Sequence, residues 1–202
     1  MPAPVTIRDL RAEDIPVAGA IAGRAFADSP MFHEVYPTNP GKRTAALGQV
    51  MGALLKAYAG HGRVFGAFSE NLLVGFCTIR EPGGCQLSAL EKLALGKAAA
   101  SAVSLGFSMS LQKTLADVGL RDPQVRHFHL GPIAVEPVHQ RCGIGSSLMR
   151  EFCRRVDVAR ELSAADTDRK GAVAFLERFG FKELSSAAIA GVSHSFLVRS
   201  KQ

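Results

Sequence analysis

The sequence contains no tryptophan, two tyrosines and four cysteines in 202 residues. Tyr36 and Tyr58 both lie in its first third, so no phenol donor is available from any later segment. Cys77, Cys85, Cys142 and Cys153 make no Cys-x-x-Cys pair, which argues against a zinc ribbon or a dithiol redox centre. Without an apolar leader in "MPAPVTIRDLRAEDIP", the expectation is free thiols and a cytoplasmic location. No uncharged apolar run is long enough to span a bilayer, and "AAASAVSLGFSMSLQ" is too short and too rich in Ser. No membrane association is expected. The formal charge is +6, but no dense Lys/Arg run or basic stripe with interleaved aromatics accompanies it. Nucleic acid is therefore not expected as a partner, and the excess positive charge suits a solvated surface or a phosphorylated ligand. The six histidines are scattered. His127 and His129 form a His-x-His with no Cys or carboxylate cluster beside it in sequence, so no metal is expected.

What is present reads as one domain over residues 1–202, of ordinary soluble composition, with 47% hydrophobic and 21% charged residues. Val5 to Arg8 reads as a strand. Asp14 is placed to cap a helix carrying Pro16 in its first turn, with Ile15, Ala18, Ala22, Ala25 and Phe26 on one face. Asp28 to Pro30 interrupts this pattern. A second helix is expected over about 42–59. The period then changes, and "RVFGAFS" and "LLVGFCTIR" about Glu70-Asn71 read as an antiparallel hairpin. Residues 86–118 form a helical insert of one or two helices. "VRHFHLGPIAV" is a strand flawed at Gly131-Pro132, because Pro has no N–H for the ladder and Gly favours a bulge. Residues 143–157 are helical, with Leu148, Met149, Phe152 and Val156 inward and Glu151 four residues before Arg155. A strand "ELSAA", a helix ending at Gly180 and the strands "FKEL" and "VSHSFLVRS" follow. The fold class is α/β: a mixed sheet with helices on both faces.

The stretch "GPIAVEPVHQRCGIGSSLMREFC", Gly131 to Cys153, passes from strand through a polar, glycine-rich turn into a helix. Gly143-Ile144-Gly145-Ser146-Ser147-Leu148 lacks the third glycine of a dinucleotide loop, and there is no GxxxxGK[ST] motif. The same physics still applies. A helix starting near Gly143 presents unpaired amides and the positive end of its dipole, glycines let a large anion approach, and Arg141 adds a full charge.

Gln140-Arg141-Cys142-Gly143-Ile144-Gly145 resembles the acyl-CoA loop of the GNAT N-acetyltransferase superfamily, of pattern [Q/R]-x-x-G-x-[G/A]. "DTDRKGAVAFLERFGF" is similar to a later helix of that superfamily, with matches at Phe175, Glu177, Gly180 and Phe181. Leu176 stands where Tyr is common. "FADSPMFHEVYP", the chain length and the insert resemble the puromycin N-acetyltransferase branch. The resemblance implies a central sheet splayed at the motif strand and acetyl-CoA as cosubstrate. The amides of Arg141, Cys142, Gly143, Ile144, Gly145 and Ser146 would hold its pyrophosphate, with Gln140 opening the loop. Ile133, Ala134 and Val135 would pair with the pantetheine arm. It implies direct attack on the thioester by an amine, expected to belong to a small molecule, in a monomer or homodimer.

Such a reaction needs a neutral amine and therefore a proton acceptor. His129 is the first candidate, since an unperturbed imidazole titrates near neutrality. His127, of the same strand parity, is the second. Leu176 cannot donate a proton to sulfur, which leaves open a non-catalytic or weakly active acyl-CoA-binding module. Acetylation of a protein is a third reading.

Overall fold

The computed structural model describes residues 5–36, 39–60, 62–83 and 87–200, which leaves Cys85 outside the described residues. In chain order the elements are β1 (Thr6–Asp9), α1 (Ile15–Phe26), α2 (Pro30–Val35), α3 (Pro40–Gly60), β2 (Gly62–Ser69), β3 (Leu72–Arg80), α4 (Ala89–Ala102), α5 (Leu105–Gly119), β4 (His127–Val135), α6 (Ile144–Asp157), β5 (Leu162–Thr167), α7 (Lys170–Glu177), β6 (Phe181–Ile189) and β7 (Val192–Arg199). Seven strands form one sheet in the order β1-β2-β3-β4-β5-β7-β6. Every pairing is antiparallel except β4 with β5. This is the mixed α/β fold expected, and the 86–118 insert supplies two helices, α4 and α5.

Alternation along the strands sorts side chains to two faces. Val64, Phe76 and Ala134 join the buried residues of α1, α3, α4 and α5 in one core. Phe65, Cys77 and Leu130, their neighbours or near neighbours in sequence, join α6 and α7 in the other. Leu148, Met149, Phe152 and Val156 form the buried face of α6, as their spacing requires. Glu151 accepts from Arg155 Nε at 2.7 Å on its flank. The β2–β3 turn at Glu70-Asn71 and the β6–β7 turn at Ala190-Gly191 have positive φ at both central residues, the conformation that matches strand twist in a two-residue hairpin.

Three local expectations are corrected. Asp14 makes no side-chain cap on α1. It accepts instead from Arg8 Nη1 and from the Arg11 amide, each at 2.8 Å, and so ties β1 to the turn before the helix. The interruption at Asp28 to Pro30 is followed by a short helix, α2, whose start is held by Asp168: the carboxylate accepts from Ser29 Oγ and from the Met31 amide. Asp168 is therefore spent across the fold and gives α7 no side-chain cap. β6 runs well beyond "FKEL", to Ile189.

Strand β4 decides the shape of the centre. Cys77 pairs with Ile133 and Ile79 with Leu130, so Thr78 faces both Gly131 and Pro132 in a bulge. On the other edge, β4 pairs with β5 only at His127, Phe128 and His129, opposite Leu162, Ser163 and Ala164. Beyond that point β4 stays with β3 as far as Val135, while Ala165, Asp166 and Thr167 of β5 stay with β7. The two parallel strands diverge. A Cβ at position 131 would overlap Thr78 Oγ1 and come within 3.3 Å of Tyr58. Gly131→Ala is therefore expected to destabilise by about 1–3 kcal/mol, the usual range for overpacking. Thr78→Ala in the same chain should recover part of that loss, measured as urea midpoints at constant slope.

Candidate active site

The divergence of β4 and β5 opens into a cavity of about 1760 Å³. One part of its wall is Ile133 to Val135 of β4, with Gln140, Arg141, Gly143, Gly145 and Ser146 of the following turn. Gly143 is the residue before α6 and adopts φ 83°, and Arg141 adopts φ 62°. Both lie in the left-handed region, which suits glycine at 143 and strains Arg141. Turning the chain this way directs the first amides of α6 toward solvent, where the helix itself supplies no acceptor. Gln140, Arg141, Cys142 and Gly143 are exposed. Gln140 Nε2 donates to the Val135 carbonyl at 3.0 Å and fastens the turn to the end of β4. Arg24 of α1 grips Glu136 with both Nε and Nη2, at 2.8 and 2.6 Å, and braces the same turn from the other side. The Ile144 side chain is buried in the α6 core, so only its backbone can meet a ligand. Cys142 Sγ donates to the Gln140 carbonyl at 3.5 Å. This exposed, cationic turn of amides fits a phosphorylated ligand, and the open edge of β4 fits an extended arm.

The opposite wall carries the titratable groups. His129 is the last residue of β4 that pairs with β5. Its Nδ1 lies 3.1 Å from Asp122 Oδ1 and its Nε2 lies 3.2 Å from Asp166 Oδ1. Asp122 Oδ2 reaches His127 Nε2 at 3.3 Å, and Asp166 Oδ2 reaches His194 Nε2 at 2.8 Å. The result is an unbroken alternation: His127, Asp122, His129, Asp166, His194. His127 is buried, with Nδ1 2.7 Å from the Val125 carbonyl, and does not reach the cavity; His129, Asp122, Asp166 and His194 do.

Burial alone would lower the pKa of His129, but its hydrogen bonds to Asp122 and Asp166 outweigh this and raise it to about 9. Burial pushes both carboxylates up. The bonds from His127 and His129 nevertheless hold Asp122 well below the usual range, and those from His129 and His194 do the same for Asp166. The near-neutral titration expected of an unperturbed His129 is thus displaced: at pH 7 the ring is an imidazolium between two carboxylates. The carboxylate not anticipated beside the His-x-His is Asp122, which the α5–β4 connection folds back onto both rings. Asp122, His127 and His129 each bring one donor atom within 4.8 Å of the others, a set that can also ligate a divalent cation.

Asp166, His194 and Arg80 of the cavity wall were not singled out from sequence. Leu176 is 4% exposed and packs in the α6 core while reaching the same wall. Tyr36 is buried edge-on against Phe107, centroids 4.2 Å apart, away from the cavity, whereas Tyr58 lines it.

A sheet opened between two parallel strands, above a glycine turn that starts a helix, is the frame of an acyl-CoA-dependent transferase. Residues 29–181 match the model of the acetyltransferase (GNAT) family, and the chain belongs to this family of acetyltransferases. None of the curated proteins matches the sequence. Among solved structures, one described as histone acetyltransferase HPA2 and related acetyltransferase from Corynebacterium glutamicum aligns at 21% identity and TM-score 0.71, covering 98% of this chain and 97% of that one. The ribosomal-protein-S18-alanine N-acetyltransferase of Escherichia coli aligns at 14% identity and TM-score 0.58, covering 98% and 94%. A GNAT acetyltransferase of Brucella melitensis, solved with acetyl-CoA, aligns at 18% and 0.51, covering 98% and 88%. At these identities the structural likenesses establish the fold. Among the described residues, no helix is long and apolar enough to cross a membrane.

Two outcomes test this geometry. CoA at about 100 times its dissociation constant should stabilise the parent by about 2.7 kcal/mol. Gly143→Glu should abolish the melting shift by placing a carboxylate at the amides, while Gly143→Ala, which shares the backbone strain without the charge, should retain much of it. The second outcome concerns pH. The folded pKa of His129, about 9, lies above its unfolded value near 6.5, so its stabilisation is complete below about pH 6.5 and lost as pH rises through 9. Thermal melts should show Tm falling between pH 7 and 9.5, with a shallower fall in His129→Gln.

Proposed function

We propose that this acetyltransferase moves the acetyl group of acetyl-CoA to the amine of a small molecule, by direct attack with both substrates bound. The observation that carries the reading is the single cavity into which the amide turn at Arg141 to Ser146 and the Asp122–His129–Asp166 cluster both open. In this reading the amides of residues 141–146 hold the pyrophosphate and Arg141 adds its charge. Gln140 keeps the turn against β4, and the backbone of Ile133, Ala134 and Val135 takes the extended arm as an added strand. When bound, acetyl-CoA supplies an activated thioester; the chain's part is to deliver an uncharged amine to it.

His129 takes the ammonium proton. Its elevated pKa lies close to that of an alkyl ammonium, so transfer between them is nearly balanced, and the reaction quickens as the imidazolium empties. Asp122 and Asp166 orient the ring through its two nitrogens, and His127 holds Asp122 from behind. With Leu176 in place of a hydroxyl, α7 offers the departing thiolate no proton at that position. The cluster is internally paired by charge, and the mechanism uses no metal. Residues 1–202 act as one acetyltransferase domain, cytoplasmic and monomeric or homodimeric. Its α2 segment and α4–α5 insert support kinship with the puromycin N-acetyltransferase branch.

Free-thiol release and product mass across an amine panel test the activity. Against pH, kcat/KM should rise to a plateau near pH 9. His129→Ala should lose about 10²-fold or more at neutral pH, with a smaller loss at alkaline pH, where more of the amine is already neutral. Asp166→Asn removes one of the two carboxylates that raise His129, so the midpoint should move to lower pH. An unmoved midpoint would assign the ionisation to the free amine and the proton to solvent.

A further inference from the structure

Arg80 closes β3 directly beside His129, its pairing partner across the sheet. It is 2% exposed and belongs to the cavity wall. The other buried arginines of the described residues are engaged. Arg43 donates through Nε to the Ala27 carbonyl at 2.7 Å, and Arg199 holds Asp157 and the Phe179 carbonyl. Arg80 Nε and Nη2 have no hydrogen-bond partner among the described residues, and Arg80 takes part in none of their ion pairs. Its guanidinium lies over the Tyr58 ring, with Cζ 4.4 Å from the centroid. A guanidinium cannot escape burial by losing its proton, and a buried charge left unpaired is costly. Nε and Nη2 also lie along one edge of the planar guanidinium, an edge that can meet both oxygens of a carboxylate in parallel.

His129, the cross-strand neighbour of Arg80, is flanked on the same cavity wall by the carboxylates of Asp122 and Asp166, acceptors suited to an ammonium. The wall of the same cavity is apolar at Phe26, Met31, Phe32, Met51, Leu54 and Leu115. We propose that Arg80 is the carboxylate subsite of the acceptor pocket, and that the acceptor is a zwitterionic amine: an amino acid or close analogue with an apolar side chain. The assignment rests on the amine-acetylating reading above and supplies its substrate class.

The test uses two matched sets: L-phenylalanine, phenethylamine and 3-phenylpropanoate, and L-leucine, 3-methylbutylamine and 4-methylpentanoate. Acetylation is followed by thiol release, and binding by calorimetry in the presence of CoA. The parent should acetylate an amino acid with kcat/KM about 10²-fold or more above that of the amine lacking the carboxylate, because a polar group left unpaired discriminates strongly. Arg80→Gln should erase that preference while still acetylating the plain amine, and should lose binding of the amine-free carboxylate. Without ligand, Arg80→Met should melt no lower than the parent, since it removes an unpaired charge. A parent that acetylates the plain amines as well as the amino acids, an Arg80→Gln protein that keeps the preference, or a parent that binds neither carboxylate overturns the subsite and leaves acetyl transfer standing. Carboxylate binding that depends on Arg80, with no amine acetylated although CoA raises Tm, keeps the subsite and overturns the amine-transfer reading.

Discussion

Parallel pairing between β4 and β5 lasts for three residues and then fails, and the layout of the centre follows from that failure. Pro132 brings no amide, and Gly131 occupies the space left by Thr78, so β4 bulges against β3 as it leaves β5. A sheet would ordinarily close such a gap, since bare strand edges attract pairing. Here both strands are held open by partners on their outer sides, β3 for one and β7 for the other. The gap also locates the chemistry. His129 sits at the apex, Asp166 is on β5 just past the last pair, and Gly131 is on β4 just past it.

The alternating imidazoles and carboxylates lie across this apex like a strap from the α5–β4 connection to β7. Each carboxylate accepts from two rings, and His129 is held at both nitrogens. Desolvation penalises every charge in such a chain, and only continuous pairing offsets it. The arrangement fixes the plane of the His129 ring and raises its proton affinity. Arg80, next to His129 in the sheet, lies outside the strap, which is why its charge stands out.

Much of this was legible in the sequence because it rests on local rules. The period of Leu148, Met149, Phe152 and Val156 marked the buried face of α6, and Gly131-Pro132 announced a broken ladder. Glu70-Asn71 marked a turn, and Gly143 sits where a left-handed residue was needed. What stayed hidden is non-local. Asp14 has the composition of a cap but is claimed by Arg8 of β1, and Asp168 is claimed across the fold by the start of α2. Asp166 reaches His129 only through the parallel register of β4 with β5, which no sequence spacing encodes. Arg80 drew no notice in the sequence, because buried donors left without partners show only once the fold is built.

The two hydrophobic cores share no residue. The core containing α1, α3, α4 and α5 backs the part of the cavity lined by Phe32, Met51 and Leu54, and the core containing α6 and α7 backs the turn before α6. The sheet stands between them, and β4 lends the cavity both its edge at Ile133 to Val135 and the side chain of His129. Exchanges of volume among Phe32, Met51, Leu54 and Leu95 are therefore absorbed within one layer, on the far side of the sheet from the packing that sets the start of α6. The fold separates what must stay constant from what can drift. Over generations, a population of such chains can repack one layer while the packing beneath the start of α6 is inherited intact.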